Sequence, residues 1–386
     1  MTEGTQLIRG LEGVVAAETR LCDLDGAHGR LAYGGYDIAD LAKQATFEEV
    51  CYLLWRGELP TRGQYDELVI SMVAARELPR PLVESLKLWP KTTDPNRPFQ
   101  AALAMLGAFD PDADDNSPAA NRRKAVRLTA QLGTLVAAIH RVRQGQEPLA
   151  PAPDLSHAAN FLYMLTGKRA GGAAVKAFDA SLTLYAEHEL NASTFTTRVI
   201  TSTNSDMHSA VTGGHGALKG PLHGGAGEAV MRTLMEIGEV PNVDSFAEKA
   251  LAEKRRLMGF GHRVYTAGDP RAAILKGMAE EACRQSGQFK WYEMAVKLNE
   301  RINAAKKLIP NVDFYSAPLF YSLGIPVEQF TPVIAMARIA GWTANIIEQH
   351  ADNRLIRPRG DYVGPKRRPF TPMADRGQTG HVDTRR

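Results

Sequence analysis

Four side chains stand in surroundings that packing alone would not select, and each has a chemical use. In Lys219-Gly220-Pro221-Leu222-His223-Gly224-Gly225-Ala226 a histidine lies among glycines at the expected entry to a helix. Glycine at that density lets backbone approach a ligand, and the positive helix end disfavours imidazolium, so a neutral His223 can donate a hydrogen bond to a developing oxyanion. In Met258-Gly259-Phe260-Gly261-His262-Arg263-Val264-Tyr265 a second histidine follows a Gly-Phe-Gly turn whose N–H groups suit an anionic or polar ligand. Asp313, within Pro310-Asn311-Val312-Asp313-Phe314-Tyr315-Ser316, has aromatic and apolar neighbours. Desolvation there raises the pKa of a carboxylic acid and improves it as a base. Between Thr331 and Ile347 the only charge is Arg338, with no acid within helical reach, so its partner must come from elsewhere in the fold or from a substrate. Taken singly, a glycine-flanked histidine reads as a turn residue and an Asp before an aromatic as a helix cap.

Other motifs tempt and do not hold. His188-Glu189-Leu190-Asn191-Ala192 begins like a zinc-protease HExxH, but Ala192 stands at the second ligand position, so no metal is expected. Gly214-His215-Gly216 and Gly225-Ala226-Gly227 neither follow a predicted strand nor extend to GxGxxG. Ser202, Ser205 and Ser209 lack the GxSxG elbow of a hydrolase.

The elements that must position these groups read almost entirely as helix. Thr46-Phe47-Glu48-Glu49 is a capping box ahead of Val50, Leu53 and Leu54, with Gly57 and Pro60 as the stop, and Thr61 with Gln64 forms a second box. Helical periodicity recurs over 125–139, 173–190, 206–218, 226–237, 271–285, 291–308 and 332–349. One ribbon is expected, from 19–24 and 29–33 around the turn signal Asp25-Gly26. The segments 110–118 and 144–153 read as linkers, and the Pro-, Gly- and Arg-rich tail 357–386 as an arm that wraps a neighbour.

Bulk properties narrow the partners. A chain of 386 residues with 44% hydrophobic content can build a large core or two lobes around a cleft. A net charge of +3 is too small over that length to favour nucleic acid or an acidic membrane. Cys22, Cys51 and Cys283 are scattered, which suggests a reducing compartment. No secretion or transit signal and no apolar run near ~20 residues is evident, so a cytoplasmic protein without a membrane span is expected.

Together and in order, these segments resemble the citrate synthase family from Leu11 to about Tyr362. Gly10-Leu11-Glu12-Gly13-Val14-Val15, Tyr36-Asp37-Ile38, the run from Tyr185 to Thr194, Asp269-Pro270-Arg271 and Arg357-Pro358 add to the likeness. The resemblance implies an all-α fold with one short N-terminal ribbon, a large domain (1–223 and 325–386) and a small domain (224–324), with the active-site cleft between them. It implies that His223, His262 and Asp313 are catalytic, that His188, Asn191, Arg271, Arg338 and Arg357 hold oxaloacetate, and that Arg357 serves the partner subunit of a homodimer. Leu257, Met258, Gly259, Phe260, Gly261 and Asn311 would line the coenzyme A pocket, with an acyl-CoA thioester as substrate and no separate cofactor.

Departures from the family pattern fall at Gly34, Asp94, Gly227 and Thr266, where Arg, His, Asn and Lys are usual. The chemistry implied is condensation of acetyl-CoA with oxaloacetate and water to citrate. A 2-methylcitrate synthase using propionyl-CoA would need the same residues, because one methylene is worth only about 1–3 kcal/mol in a pocket. A non-catalytic scaffold that binds CoA or a dicarboxylate is disfavoured by the presence of all three catalytic groups.

Overall fold

The computed structural model describes residues 7–376. Two compact units are separated by contact: residues 18–356 form one, and the chain ends, 7–17 and 357–376 among the described residues, form the other. The end unit carries only short turns of 3-10 helix at Arg9–Leu11 and Met373–Asp375, in keeping with the lack of periodicity read in the tail.

The larger unit opens with a three-stranded antiparallel ribbon, β1 (Cys22–Asp25), β2 (Arg30–Tyr33) and β3 (Tyr36–Asp37). Asp25 pairs with Arg30 in register, so the connection is the four-residue Gly26–Gly29 rather than a two-residue turn at Asp25-Gly26. The wider turn is fixed by the Asp25 carboxylate, which accepts from His28 N at 3.1 Å and from the Arg30 guanidinium at 3.0 Å.

Sixteen α-helices follow among the described residues. They are α1 (Ile38–Gln44), α2 (Phe47–Arg56), α3 (Arg62–Ala74), α4 (Arg80–Leu86), α5 (Asn96–Gly107) and α6 (Pro118–Arg143). Next come α7 (His157–Thr166), α8 (Gly172–Ala186), α9 (Ala192–Thr201), α10 (Met207–Leu218) and α11 (Ala226–Ile237). The last are α12 (Val243–Ala252), α13 (Pro270–Gln285), α14 (Phe289–Lys306), α15 (Val312–Ser322) and α16 (Phe330–Ala351). Both capping boxes form as read, at Thr46/Glu49 and Thr61/Gln64, satisfying end N–H groups that would otherwise be orphaned. Asp94 starts α5 by accepting from Asn96 N at 2.9 Å.

Helix α16 is the axis of the core, touching α2, α6, α8, α9 and α10, and Trp55 Nε1 on α2 donates to Thr343 Oγ1 on it at 2.9 Å. The stretch Val327–Ala351 is long and apolar enough to cross a bilayer by length and composition, which corrects the expectation that no such run exists. Its most apolar 18 residues are 94% buried inside the fold, so its apolarity is that of a core helix. Helices α11, α13 and α14 pack on α15 and present the start of α15 to the site.

Candidate active site

Asp313 lies in the first turn of α15, capped by Asn311. The Asn311 Oδ1 accepts from Asp313 N at 3.1 Å, its Nδ2 donates to Gly261 O at 3.0 Å, and its backbone N donates to Gly259 O at 2.9 Å. One residue therefore ties the 257–261 loop to the helix that carries Asp313, and the Phe260 ring packs on Phe314 with centroids 4.6 Å apart. A helix N-terminus favours the carboxylate. Burial opposes it and dominates, pushing the Asp313 carboxyl up to about 6 against the pull of Tyr185 and Arg271. Tyr185 OH donates to Asp313 Oδ1 at 2.8 Å and lies 2.8 Å from Ser316 Oγ. Burial and the Asp313 charge hold the Tyr185 phenol well above its usual range, so it remains a donor.

The loop ahead of α13 supplies His262. Its Nδ1 accepts from Val264 N at 3.0 Å and Tyr265 N at 3.1 Å, so the proton of the neutral ring sits on Nε2. Burial, with the nearby Arg271, lowers its pKa to about 4. The loop is anchored on the ribbon tip, where Thr266 N donates to Gly26 O at 2.9 Å and Thr266 Oγ1 donates to the same oxygen at 3.3 Å. His188 lies edge-on to His262, centroids 5.2 Å apart, and its Nε2 is 3.2 Å from Tyr265 OH. Burial, Arg271 and Arg338 hold the His188 imidazole far below its usual pKa. Arg271 is buried in a bidentate pair with Asp269 (2.9 and 2.8 Å), and Asp269 Oδ2 also accepts from Val312 N at 3.0 Å, joining the starts of α13 and α15.

His188 occupies a break between helices. The periodicity that suggested a helix over 173–190 is interrupted after Ala186, where Glu187 is extended and Glu189 has φ +52°. The helix cannot run on because Asn191 caps a new one, α9, its Oδ1 accepting from Ser193 N and Thr194 N at 3.2 and 3.1 Å. Gly341 lets α16 press on this break: a Cβ there would collide with Ala186 O and Glu187 Oε2. Arg338, one turn earlier, donates through Nε to Tyr185 O at 2.6 Å, while its Nη1 is buried with no hydrogen-bond partner. Glu187 is its nearby acid; burial raises that carboxyl to about 7, and its Oε1 is likewise unpartnered.

His223 sits in the loop before α11, with Nε2 2.9 Å from Ser193 Oγ. Burial and Arg338 depress it to about 4. Trp342 Nε1 donates to the same Ser193 hydroxyl at 3.2 Å.

Residues 10–359 match the family model described as "Citrate synthase, C-terminal domain". The chain belongs to the citrate synthase family. Among its relatives, citrate synthase 2 of Bacillus subtilis is 47% identical over 95% of this chain and 99% of its own. A 2-methylcitrate synthase of Mycobacterium tuberculosis is 43% identical over 95% of this chain and 93% of its own. The structure superposes on the citrate synthase of Thermoplasma acidophilum, solved with carboxymethyl coenzyme A and oxaloacetate, with a TM-score of 0.91 at 35% identity, covering 96% of this chain and all of that one. Like these family members, the chain is an enzyme, and its mostly helical fold with one small sheet is theirs.

Several residues singled out in the sequence lie in contact with one another. Asp313, Gly259, Gly261 and Asn311 form one bonded group. His188 and His262 form another. Leu257, Met258 and Phe260 are partly buried against the core. The Asn191 side chain is taken up by its cap and by Nδ2 donation to Thr194 Oγ1 at 3.0 Å, so it braces the turn behind His188. Arg357 is exposed in the end unit. Sequence reasoning gave no role to Tyr185, Ser193, Tyr265 or Asp269, which hold Asp313, His223, His188 and Arg271. All four lie inside segments quoted for the resemblance, and polar residues beside a candidate catalytic group were the available signal.

Proposed function

We propose that the chain condenses acetyl-CoA with oxaloacetate and water to citrate and CoA, with Asp313 as base and His223 and His262 as neutral donors. One observation carries this reading: the Asp313 carboxyl and the His223 and His262 imidazoles gather around the same buried arginines, Arg271 and Arg338, where burial lifts the carboxyl to about 6 and keeps both imidazoles neutral, a base beside two uncharged donors. The α-proton of a thioester is weakly acidic, so Asp313 removes it as a donor meets the charge growing on the carbonyl oxygen. Ser193 prepares His223 for that part. Its hydroxyl lies 2.9 Å from His223 Nε2 and donates to Asn191 Oδ1 at 2.7 Å, which ties the imidazole to the turn that carries His188.

The enolate attacks the oxaloacetate ketone, which His262 Nε2–H polarises and then protonates as alkoxide. His188, Arg271 and Arg338 hold the two carboxylates, the free Nη1 of Arg338 being a ready donor. CoA lies along 257–261 and Asn311. Hydrolysis of the citryl thioester completes the cycle, and closure of a small domain (224–324) over the cleft keeps water from the enolate. Exposed apolar residues of the end unit, Leu7, Val15, Val363 and Phe370 among them, support an arm laid on a second copy of the chain, with Arg357 completing the neighbour's site. The setting is cytoplasmic, with three buried thiols. The test is loss of thioester absorbance with acetyl-CoA that depends on oxaloacetate and yields citrate. Thioester loss at the same rate without oxaloacetate, or no turnover, overturns the reading.

A further inference from the structure

A cavity of about 370 Å³ lies between α13, α14 and α15, outside the group of residues assigned to the chemistry. Lys276 on α13, Asn299 on α14 and Tyr315 on α15 bring polar groups to it from three helices. Tyr315 follows Asp313 by two residues, which places it on nearly the opposite side of α15. It is 2% exposed, and its hydroxyl completes no hydrogen bond. Asn299 stands beside the phenol, and its Oδ1 is likewise buried and unpartnered. The Lys276 ammonium is 6.0 Å from the centre of the Tyr315 ring and forms no ion pair among the described residues. Ile309, Pro310 and Pro270 supply apolar walls. Buried polar atoms left unmet are costly to a fold, so the arrangement points to a partner that supplies what they lack.

One small molecule meets all of these groups if it carries a carboxylate, a cationic donor and an aliphatic part. The carboxylate takes the Lys276 ammonium and the Tyr315 O–H. Asn299 Oδ1 requires a donor, and the negative charge of Glu300 near Tyr315 favours one that is positively charged. The aliphatic part lies on Ile309 and Pro310. We infer that the cavity is a second ligand site, which takes an α-amino acid with an aliphatic side chain and adjusts turnover at the neighbouring active site. The coupling follows from the walls. Asp269 lines the cavity while it pairs with Arg271 and accepts from Val312 N at 3.0 Å. Ile309, another wall, accepts through its carbonyl from Gly261 N at 2.8 Å, one residue before His262. An occupant therefore touches the joints that hold Arg271, His262 and Asp313. The coupling rests on the condensing reading above, and the binding does not.

The test is calorimetric titration of the intact chain with L-leucine, L-isoleucine, L-valine and L-methionine in turn, with and without saturating oxaloacetate. At least one should bind saturably, and oxaloacetate should not displace it. Lys276→Met and Tyr315→Phe should each weaken that binding by about tenfold, as loss of a bond to a charged group does. The bound amino acid should change kcat or KM for acetyl-CoA by about twofold or more. No saturable binding of any of the four, displacement by oxaloacetate, or an affinity indifferent to both substitutions overturns the site, and water then meets the two buried atoms. Binding that leaves kcat and KM unchanged overturns the coupling. A wild-type chain without condensing activity removes the condensing reading and the coupling with it, while the titration still decides the site.

Discussion

Tyr185→Phe removes one hydroxyl and leaves the ring, the helix and the carbonyl that Arg338 uses. The bond from Tyr185 lowers the Asp313 pKa, so its loss raises it. A hydrogen bond to a charged acceptor contributes about 1.5–3 kcal/mol, and about 1.4 kcal/mol corresponds to one pKa unit. The shift is therefore about one to two units, which moves the base from about 6 to between about 7 and 8. Because the base works ionised, activity rises with pH through its pKa, and the variant's rise should lie on the alkaline side of the wild type's. At pH 7 the ionised fraction falls from about nine-tenths to between about one-half and one-tenth, and most of the lost rate returns near about pH 9. Neither His223 nor His262 contributes to this limb, since both remain neutral well below it. The assay is kcat/KM for acetyl-CoA across this range, followed by thioester absorbance at saturating oxaloacetate. A limb that stays in place or moves to lower pH refutes the reasoning, and a uniform loss at every pH shows that Tyr185 shapes the site without tuning the base.

Asp313→Asn should keep oxaloacetate binding and abolish exchange of the acetyl methyl protons with solvent; exchange at the wild-type rate would remove Asp313 from the mechanism. Mixed Arg357→Ala and His262→Ala subunits, each inactive alone, should regain activity on subunit exchange, because the heterodimer holds one site with both defects and one with neither. Absence of recovery despite demonstrated exchange would confine Arg357 to its own subunit. Gly341→Ala drives a methyl group into Ala186 O and Glu187 Oε2. Overpacking of this kind costs about 1–3 kcal/mol, so the unfolding midpoint should fall by several degrees, and an unchanged midpoint would show that α16 can yield there.

What could be read in the sequence was what neighbouring residues decide among themselves. The Thr46 and Thr61 boxes and the bounds of α11 follow from a few adjacent side chains. The break at Glu187 could not be read this way, because it depends on Tyr33 OH donating to Glu187 O at 2.7 Å and on α16 at Gly341, both remote in sequence. Helix α15 was missed for a different reason. It is buried nearly all round and contains Pro318, so it shows neither an amphipathic period nor a clean helical composition. The site residues without an assigned role share one property: Tyr185, Ser193, Tyr265 and Asp269 act by touching another side chain, and the sequence does not state which one.

The unpartnered nitrogen of Arg338 and the unpartnered oxygen of Glu187 also bear on how the protein survives in the cell. A buried guanidinium and a buried carboxyl with unmet hydrogen-bonding capacity hold the ligand-free fold below the stability its core would otherwise give. A dicarboxylate that meets Arg338 removes part of that deficit, and at a hundredfold excess over its Kd it adds about 2.7 kcal/mol to the native state. On the proposed role of Arg338, added dicarboxylate should therefore slow proteolysis of the folded protein, a readout of the binding site that needs no turnover.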